Sequence, residues 1–153
     1  MARSNWLVRR FILWAIRRDH HRQRVVTFGG SFEFFRWAPF WRDEYTLRSG
    51  TRINRPPWWR PFNALLHCWA PEREQIDAMH DHPRWSITIC LRGRLIEHTP
   101  WGAHVLSPGV IVVRSRKAIH EFEVPIGFRG KTWTLFIVGR RNYRQNTYRI
   151  TRR

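Results

Sequence analysis

Cysteine is scarce in this sequence: 153 residues include two, Cys68 and Cys90. Both lie in apolar, strand-like runs, which argues against a disulfide framework and points to a reducing compartment, so a cytoplasmic location is expected. Long apolar runs are missing as well. Near the start the longest uncharged stretch, Phe11 to Ile16, is bracketed by arginine pairs and is far shorter than a membrane span or a secretory core. Acidic residues are few: 11 Asp and Glu stand against 28 Lys and Arg, giving a formal charge of +17 with histidine neutral. Such a field draws anionic partners, nucleic acid or an anionic membrane surface among them, whatever chemistry the domain carries. No internal repeat, low-complexity tract, phosphate-cradling glycine loop or CxxC pair is present.

Apolar material is plentiful. Hydrophobic residues make up 42% of the chain, with ten Trp and ten Phe, which is ample for a core. At this length one domain is expected rather than two. Residues 1–24 read as a basic amphipathic helical arm, because Arg3, Arg10 and Arg17 recur every seven residues while Val8, Ile12 and Ile16 fall on the opposite side. Such a helix packs its apolar side on the domain and shows arginine to water. Attachment to a membrane surface and an Arg-rich organelle-import segment are the alternatives.

Residues 25–153 read as a single β-barrel domain. Up to Pro61 the chain is aromatic, basic and broken by Gly29-Gly30, Pro39, Gly50 and Pro56-Pro57. Arg36-Trp37, Trp41-Arg42 and Trp58-Trp59-Arg60 interleave ring and cation, a pattern that stacks bases and meets phosphates but also covers sheets. From Phe62 onward, short apolar or alternating stretches (FNALLHCW, WSITICL, RLIEHT, AHVL, VIVV, HEFEV and TWTLFIV) alternate with Gly and Pro turn signals. Strands at this spacing predict a sandwich or barrel.

The cluster with the most chemistry in it is histidine-based. His80 and His82 are one residue apart just ahead of the WSITICL run, and a later strand begins at His120. Residues i and i+2 of a strand share a face, so two imidazoles can meet one cation while the later strand brings the third. Three nitrogens leave coordination positions open, which suits a catalytic rather than a structural site. On the same parity Ser86 and Thr88 point inward, where they would line a bound substrate. A hairpin turning at Arg92-Gly93 would pair Thr88 with Glu97, turning Glu97 inward as a fourth ligand or a general base. His67, inside an apolar strand, reads as a core histidine, and His98 should point away from Glu97.

This spacing resembles the cupin superfamily. His80, His82 and Gly93 stand where its first motif has His-x-His and a hairpin glycine, and Pro108-Gly109 with His120 stand where its second has Pro-Gly and a lone histidine. The first motif's acidic position is Ser86, and the Pro-x-Gly ahead of the last histidine reads Ser115-Arg116-Lys117. The resemblance implies an all-β, cupin-type double-stranded β-helix, a jelly-roll barrel, here with an N-terminal amphipathic helical arm.

Within that superfamily the chain is similar to cysteine dioxygenase and related thiol dioxygenases. Asn63, Cys68 and Trp69, then His80-Asp81-His82, then Leu91, Gly93, Leu95 and Glu97 match that family's fragments. The resemblance implies a non-haem Fe(II) dioxygenase-like enzyme with His80, His82 and His120 as ligands and a neutral residue, Ser86, at the acidic position. It also places a substrate-carboxylate arginine at Arg52, in Thr51-Arg52, ten residues ahead of Phe62-Asn63; Arg60 competes for that role. Phe136 and Val138 stand where the family has its active-site histidine and tyrosine. The expectation is thus a metal-dependent oxidoreductase acting on a small anionic substrate, with Fe(II) foremost and Zn(II), Ni(II) or Mn(II) as other occupants. The other class is a non-catalytic basic cupin that docks nucleic acid or an anionic membrane, and a homodimer is a further expectation from an aromatic-rich exposed sheet.

Overall fold

A computed structural model describes residues 2–18, 23–26, 33–40, 45–46, 52–53, 61–69, 75–76, 79, 81–82, 84–125 and 130–139. Among the described residues one helix, α1 (Ala2–Arg17), precedes twelve strands: β1 (Gln23–Val26), β2 (Glu33–Trp37), β3 (Tyr45–Thr46), β4 (Arg52–Ile53), β5 (Phe62–Trp69), β6 (Gln75–Ile76), β7 (Ser86–Arg92), β8 (Leu95–Thr99), β9 (Gly102–Leu106), β10 (Ile111–Arg114), β11 (Glu121–Val124) and β12 (Thr132–Gly139). Each of the apolar stretches singled out beyond Phe62 forms a strand. All pairings among the described strands are antiparallel. A six-stranded sheet runs β1-β2-β5-β12-β7-β10, a four-stranded sheet runs β6-β11-β8-β9, and β3-β4 form a small ribbon.

The two larger sheets face each other across one interior. Alternate residues of β7 (Ser86, Thr88, Cys90) and β12 (Thr132, Thr134, Phe136, Val138) are buried, as period-two side-chain direction requires of strands with one face inward. At one end of the interior Phe34, Trp69 and Cys90 from the larger sheet meet Leu95, Leu106, Phe122 and Val124 from the smaller. The other end is polar and holds Ser86, Thr88, Glu97, Arg114 and His120, all buried.

The central strand β5 is buried on both sides except at Phe62, so its sequence is a nearly unbroken apolar run rather than an alternation. Its outer side is covered by α1. Ile12 and Ala15, with the half-buried Val8, Phe11 and Ile16, pack on Trp37, Leu66, Cys68, Leu91 and Trp133. The helix is therefore applied to the barrel through its apolar side, as its periodicity predicts. The indoles of Trp37 and Trp133 stack at 5.4 Å beneath it, so at Arg36-Trp37 the ring belongs to the core and not to a nucleic-acid surface. Trp41, Arg42, Trp58, Trp59 and Arg60 lie outside the described residues. Among the described residues no helix is long and apolar enough to cross a membrane.

The chain crosses from the larger sheet to the smaller between β7 and β8. Gly93 makes the crossing with φ +87°, and a Cβ there would lie 2.3 Å from Thr132 Oγ1, so both the backbone conformation and the close approach demand glycine. Thr132 Oγ1 accepts from the Arg94 N–H at 3.0 Å and donates to the Arg94 carbonyl at 2.9 Å, pinning the crossing. This corrects the hairpin expected from the sequence. Thr88 pairs with Phe136 and Val112, whereas Glu97 pairs with Phe122 and His104. A left-handed glycine pressed against a third strand redirects the chain into the facing sheet instead of folding it back on itself.

Candidate functional site at the polar end of the barrel

His120 immediately precedes β11 and points inward with Phe122 and Val124, fully buried. His82 lies in irregular backbone four residues ahead of β7, so strand parity is not what orients it. Its ring nevertheless meets that of His120, with centroids 5.1 Å apart and the planes at 67°. Both rings also touch apolar neighbours, His82 against Phe136 at 5.8 Å and His120 against Phe122 at 4.9 Å. His80 lies outside the described residues, and among those described no three His, Cys, Asp or Glu side chains group as a metal site.

Glu97 does reach the interior, from β8 of the smaller sheet, and is 1% exposed. Its Oε1 accepts a hydrogen bond from His120 Nδ1 at 2.8 Å and another from Arg114 Nε. Arg114, at the end of β10, also donates from Nη1 to Thr88 Oγ1 at 2.7 Å. The ion pair thus spans the two sheets, and its guanidinium lies over the Phe122 ring at 5.3 Å. Burial by itself would raise the Glu97 carboxyl, but the hydrogen bonds from His120 and Arg114, helped by their charge, outweigh it and bring the group down to about 2. It is a carboxylate at neutral pH. With Nδ1–H donating to that carboxylate, Nε2 is the basic nitrogen of the His120 ring.

Arg114 was not among the expected site residues, and no short-range signal in the sequence marks it; the sheet pairing brings it in. The β10–β7 register places Arg114 opposite Ser86, so an inward Ser86 carries Arg114 inward with it. Read along the chain, however, it follows VIVV and precedes Ser115-Arg116-Lys117, which looks like the start of a solvated basic turn. Ser86 and Thr88 are inward as expected. Among the described residues Ser86 Oγ, Glu97 Oε2 and Arg114 Nη2 are buried atoms with no hydrogen-bond partner. Arg52 is described as part of β4 but its side chain is not, and Arg60 falls outside the described residues.

His67 lies on the inner side of β5, stacked on Phe136 at 5.3 Å and accepting at Nε2 from Arg36 Nε at 3.1 Å. Burial first, then the positive charges of Arg36 and His82, hold its pKa well below the usual histidine value, so it is a neutral acceptor. Phe136 offers an apolar ring to both His67 and His82. His98 points outward to Glu123, 2.6 Å away, as its parity with Glu97 requires. Cys68 and Cys90 are free and buried, and burial pushes both thiols up to about 11, which suits core residues rather than nucleophiles.

No protein-family model matches the sequence, and no curated protein matches it significantly. Solved structures do match the fold. A cupin-2 domain from Rhodospirillum rubrum superposes with a TM-score of 0.58 at 12% identity, covering 86% of this chain and 75% of that one. A cupin 2 conserved barrel domain protein from Rhodopseudomonas palustris gives 0.55 at 10% identity, covering 84% and 75%. The polyketide cyclase RemF from Streptomyces resistomycificus gives 0.52 at 15% identity over 69% of this chain, which spans 64% of the length of that enzyme. Likeness at such identities carries architecture and not chemistry. The chain therefore has the cupin fold, a mostly β barrel of antiparallel sheets with one N-terminal helix.

Proposed function

We propose that the polar end of this barrel is a mononuclear divalent-metal site, with His82 and His120 as ligands and His80 as the third. The observation that carries this is the pairing of the two described imidazoles. Two rings bound to one ion through metal–nitrogen bonds of about 2.1 Å, roughly at right to tetrahedral angles, have centroids about 4.6–5.3 Å apart. The 5.1 Å between His82 and His120 fits. The carboxylate on His120 Nδ1 fits as well, since histidine ligands are commonly oriented by an acid on the far ring nitrogen.

A bound metal would supply open coordination positions at which substrate, water or dioxygen is activated. The rest falls to the protein's own side chains. Glu97, held by Arg114, fixes the tautomer and direction of His120; this favours a positioning role over that of fourth ligand or general base. Ser86 and Thr88 form the inner wall. An anionic substrate would be met by Arg52 or Arg60, and by the half-buried Arg36 that already reaches His67. Fe(II) suits a three-histidine set with open positions, and a dioxygenase-type oxidation is the reaction class we favour; Zn(II), Ni(II) and Mn(II) fit the same donors. Phe136 leaves that strand position with no group to transfer a proton, so the substrate should differ from that of a cysteine dioxygenase.

Elemental analysis of untagged protein reconstituted anaerobically with Fe(II) tests the proposal. One metal per chain is expected, with loss of most of it in His82→Ala and in His120→Ala. If the wild-type chain retains no metal after reconstitution with any of the four ions, the site is not a metal centre.

A further inference from the structure

The outward side of α1 has a composition that packing on the barrel does not explain. Trp6 and Leu7 are 55% and 61% exposed, and Leu13 and Trp14 are also exposed. Arg9, Arg10, Arg17 and Arg18 are exposed among them, and Ala2–Arg17 contains no acidic residue. At 3.6 residues per turn, Trp6, Arg10, Leu13 and Arg17 form one row along the helix, with Leu7, Trp14 and Arg18 beside it. The arginines lie on the indoles: the Arg10 guanidinium is 4.7 Å from the Trp6 ring and that of Arg18 is 5.9 Å from Trp14. Trp14 continues the apolar surface to the exposed Phe40, 5.5 Å away. Along its flank the helix borders a groove of about 410 Å³ with an apolar floor of Val8, Ile12, Ile16 and Trp133, and with Arg9 and Arg92 among its lining.

We infer that this side of α1 docks on the surface of an anionic lipid bilayer, with Trp6, Leu7, Leu13 and Trp14 in the headgroup–acyl boundary and the arginines against lipid phosphates. A row of indoles, leucines and arginines without acids is the composition that lies flat in such an interface. The +17 charge of the chain supplies long-range attraction to it. Two other occupants fit less well. Nucleic acid would use the cations and the indoles but leave Leu7 and Leu13 against sugar and phosphate. A second copy meeting this side symmetrically would set arginine against arginine with no acid on the helix to answer it. This surface lies on the outside of the larger sheet, so the inference stands apart from the metal proposal.

Co-sedimentation of the full chain with phosphatidylcholine vesicles, with and without about one-third phosphatidylserine, tests it. Binding is expected to the anionic vesicles only, weakening as salt rises toward about 0.15 M and above. Arg10→Gln and Arg17→Gln should each lower the partition coefficient about fivefold. The exposed pair Leu7→Ser with Leu13→Ser should lower it by about tenfold or more, with an unchanged thermal midpoint showing that the fold persists. Three results overturn the inference: no binding to anionic vesicles at low salt; vesicle binding that the leucine pair leaves unchanged; or a dimer in sedimentation equilibrium that the leucine pair dissociates. Brominated-lipid quenching of tryptophan emission that Trp6→Phe reduces supports insertion, and quenching absent from bound wild-type protein counts against it.

Discussion

The polar end of the barrel and the outward side of α1 depart from ordinary sorting in opposite directions. Inside, Glu97, Arg114, His120, Ser86 and Thr88 are buried where apolar residues would pack more simply; outside, Trp6, Leu7 and Leu13 face water. The apolar end of the same interior, lined by Leu95, Leu106 and Val124, and the inward side of the same helix follow the usual rule. Burying a charge is expensive unless it is paired, and exposing several large apolar side chains together gains nothing for a free monomer. Stability alone accounts for neither region, and these are the two places at which a metal and a bilayer surface are proposed.

The largest expected effect is on the buried ion pair. Arg114→Met leaves the Glu97 carboxylate inside the barrel without its guanidinium and should lower unfolding free energy by about 3–5 kcal/mol in denaturant titrations. Adding Glu97→Leu should restore much of that loss; if it does not, Arg114 supports the fold by packing rather than charge. Gly93→Ala comes next, at about 1–3 kcal/mol from its left-handed φ alone, with more from the encounter with Thr132. Glu97→Gln keeps the shape but weakens the hydrogen bond to His120, and should reduce metal affinity about 10–100-fold in competition with a chelator. A wild-type affinity in that variant would separate the carboxylate from the proposed centre.

Acidification should act on the barrel interior in two stages. His67 has a folded pKa well below its unfolded value, so below about pH 6.5 the unfolded chain binds a proton that the folded one refuses, and stability falls. Glu97, at about 2 in the fold, adds a second loss that begins near the ordinary carboxylate range, about 4.5, and continues to about 2. Denaturation midpoints followed against pH should show the first stage disappear in His67→Gln. The smallest effect belongs to the outer region: Leu13→Ser should change stability by no more than about 0.5 kcal/mol while changing vesicle binding.

Much of this organisation was legible in the residues themselves. The seven strand stretches singled out from Phe62 onward, the inward parity of Ser86 and Thr88, and the apolar side of α1 were read from short apolar runs, turn signals and periods of two and 3.6, which local sequence carries directly; the short β6 was not. The strand β2 was not legible in this way. Phe34 faces the interior and Phe35 faces the helix, so burial on both sides erases alternation. The inward direction of Glu97 was anticipated through a hairpin that does not form; it is inward because β8 presents one side to the facing sheet.

What the sequence determined by itself was therefore local: where the helix and the seven longer strand stretches beyond Phe62 lie, which side of the helix is apolar, and that histidines flank the entry to one strand. Tertiary structure alone decided which strands are neighbours. It sent the chain across at Gly93, set β10 against β7 so that Arg114 stands opposite Ser86, and brought Arg114 and Glu97 together from different sheets. Pairing across a barrel depends on contacts far apart in the chain, and no short-range period encodes them.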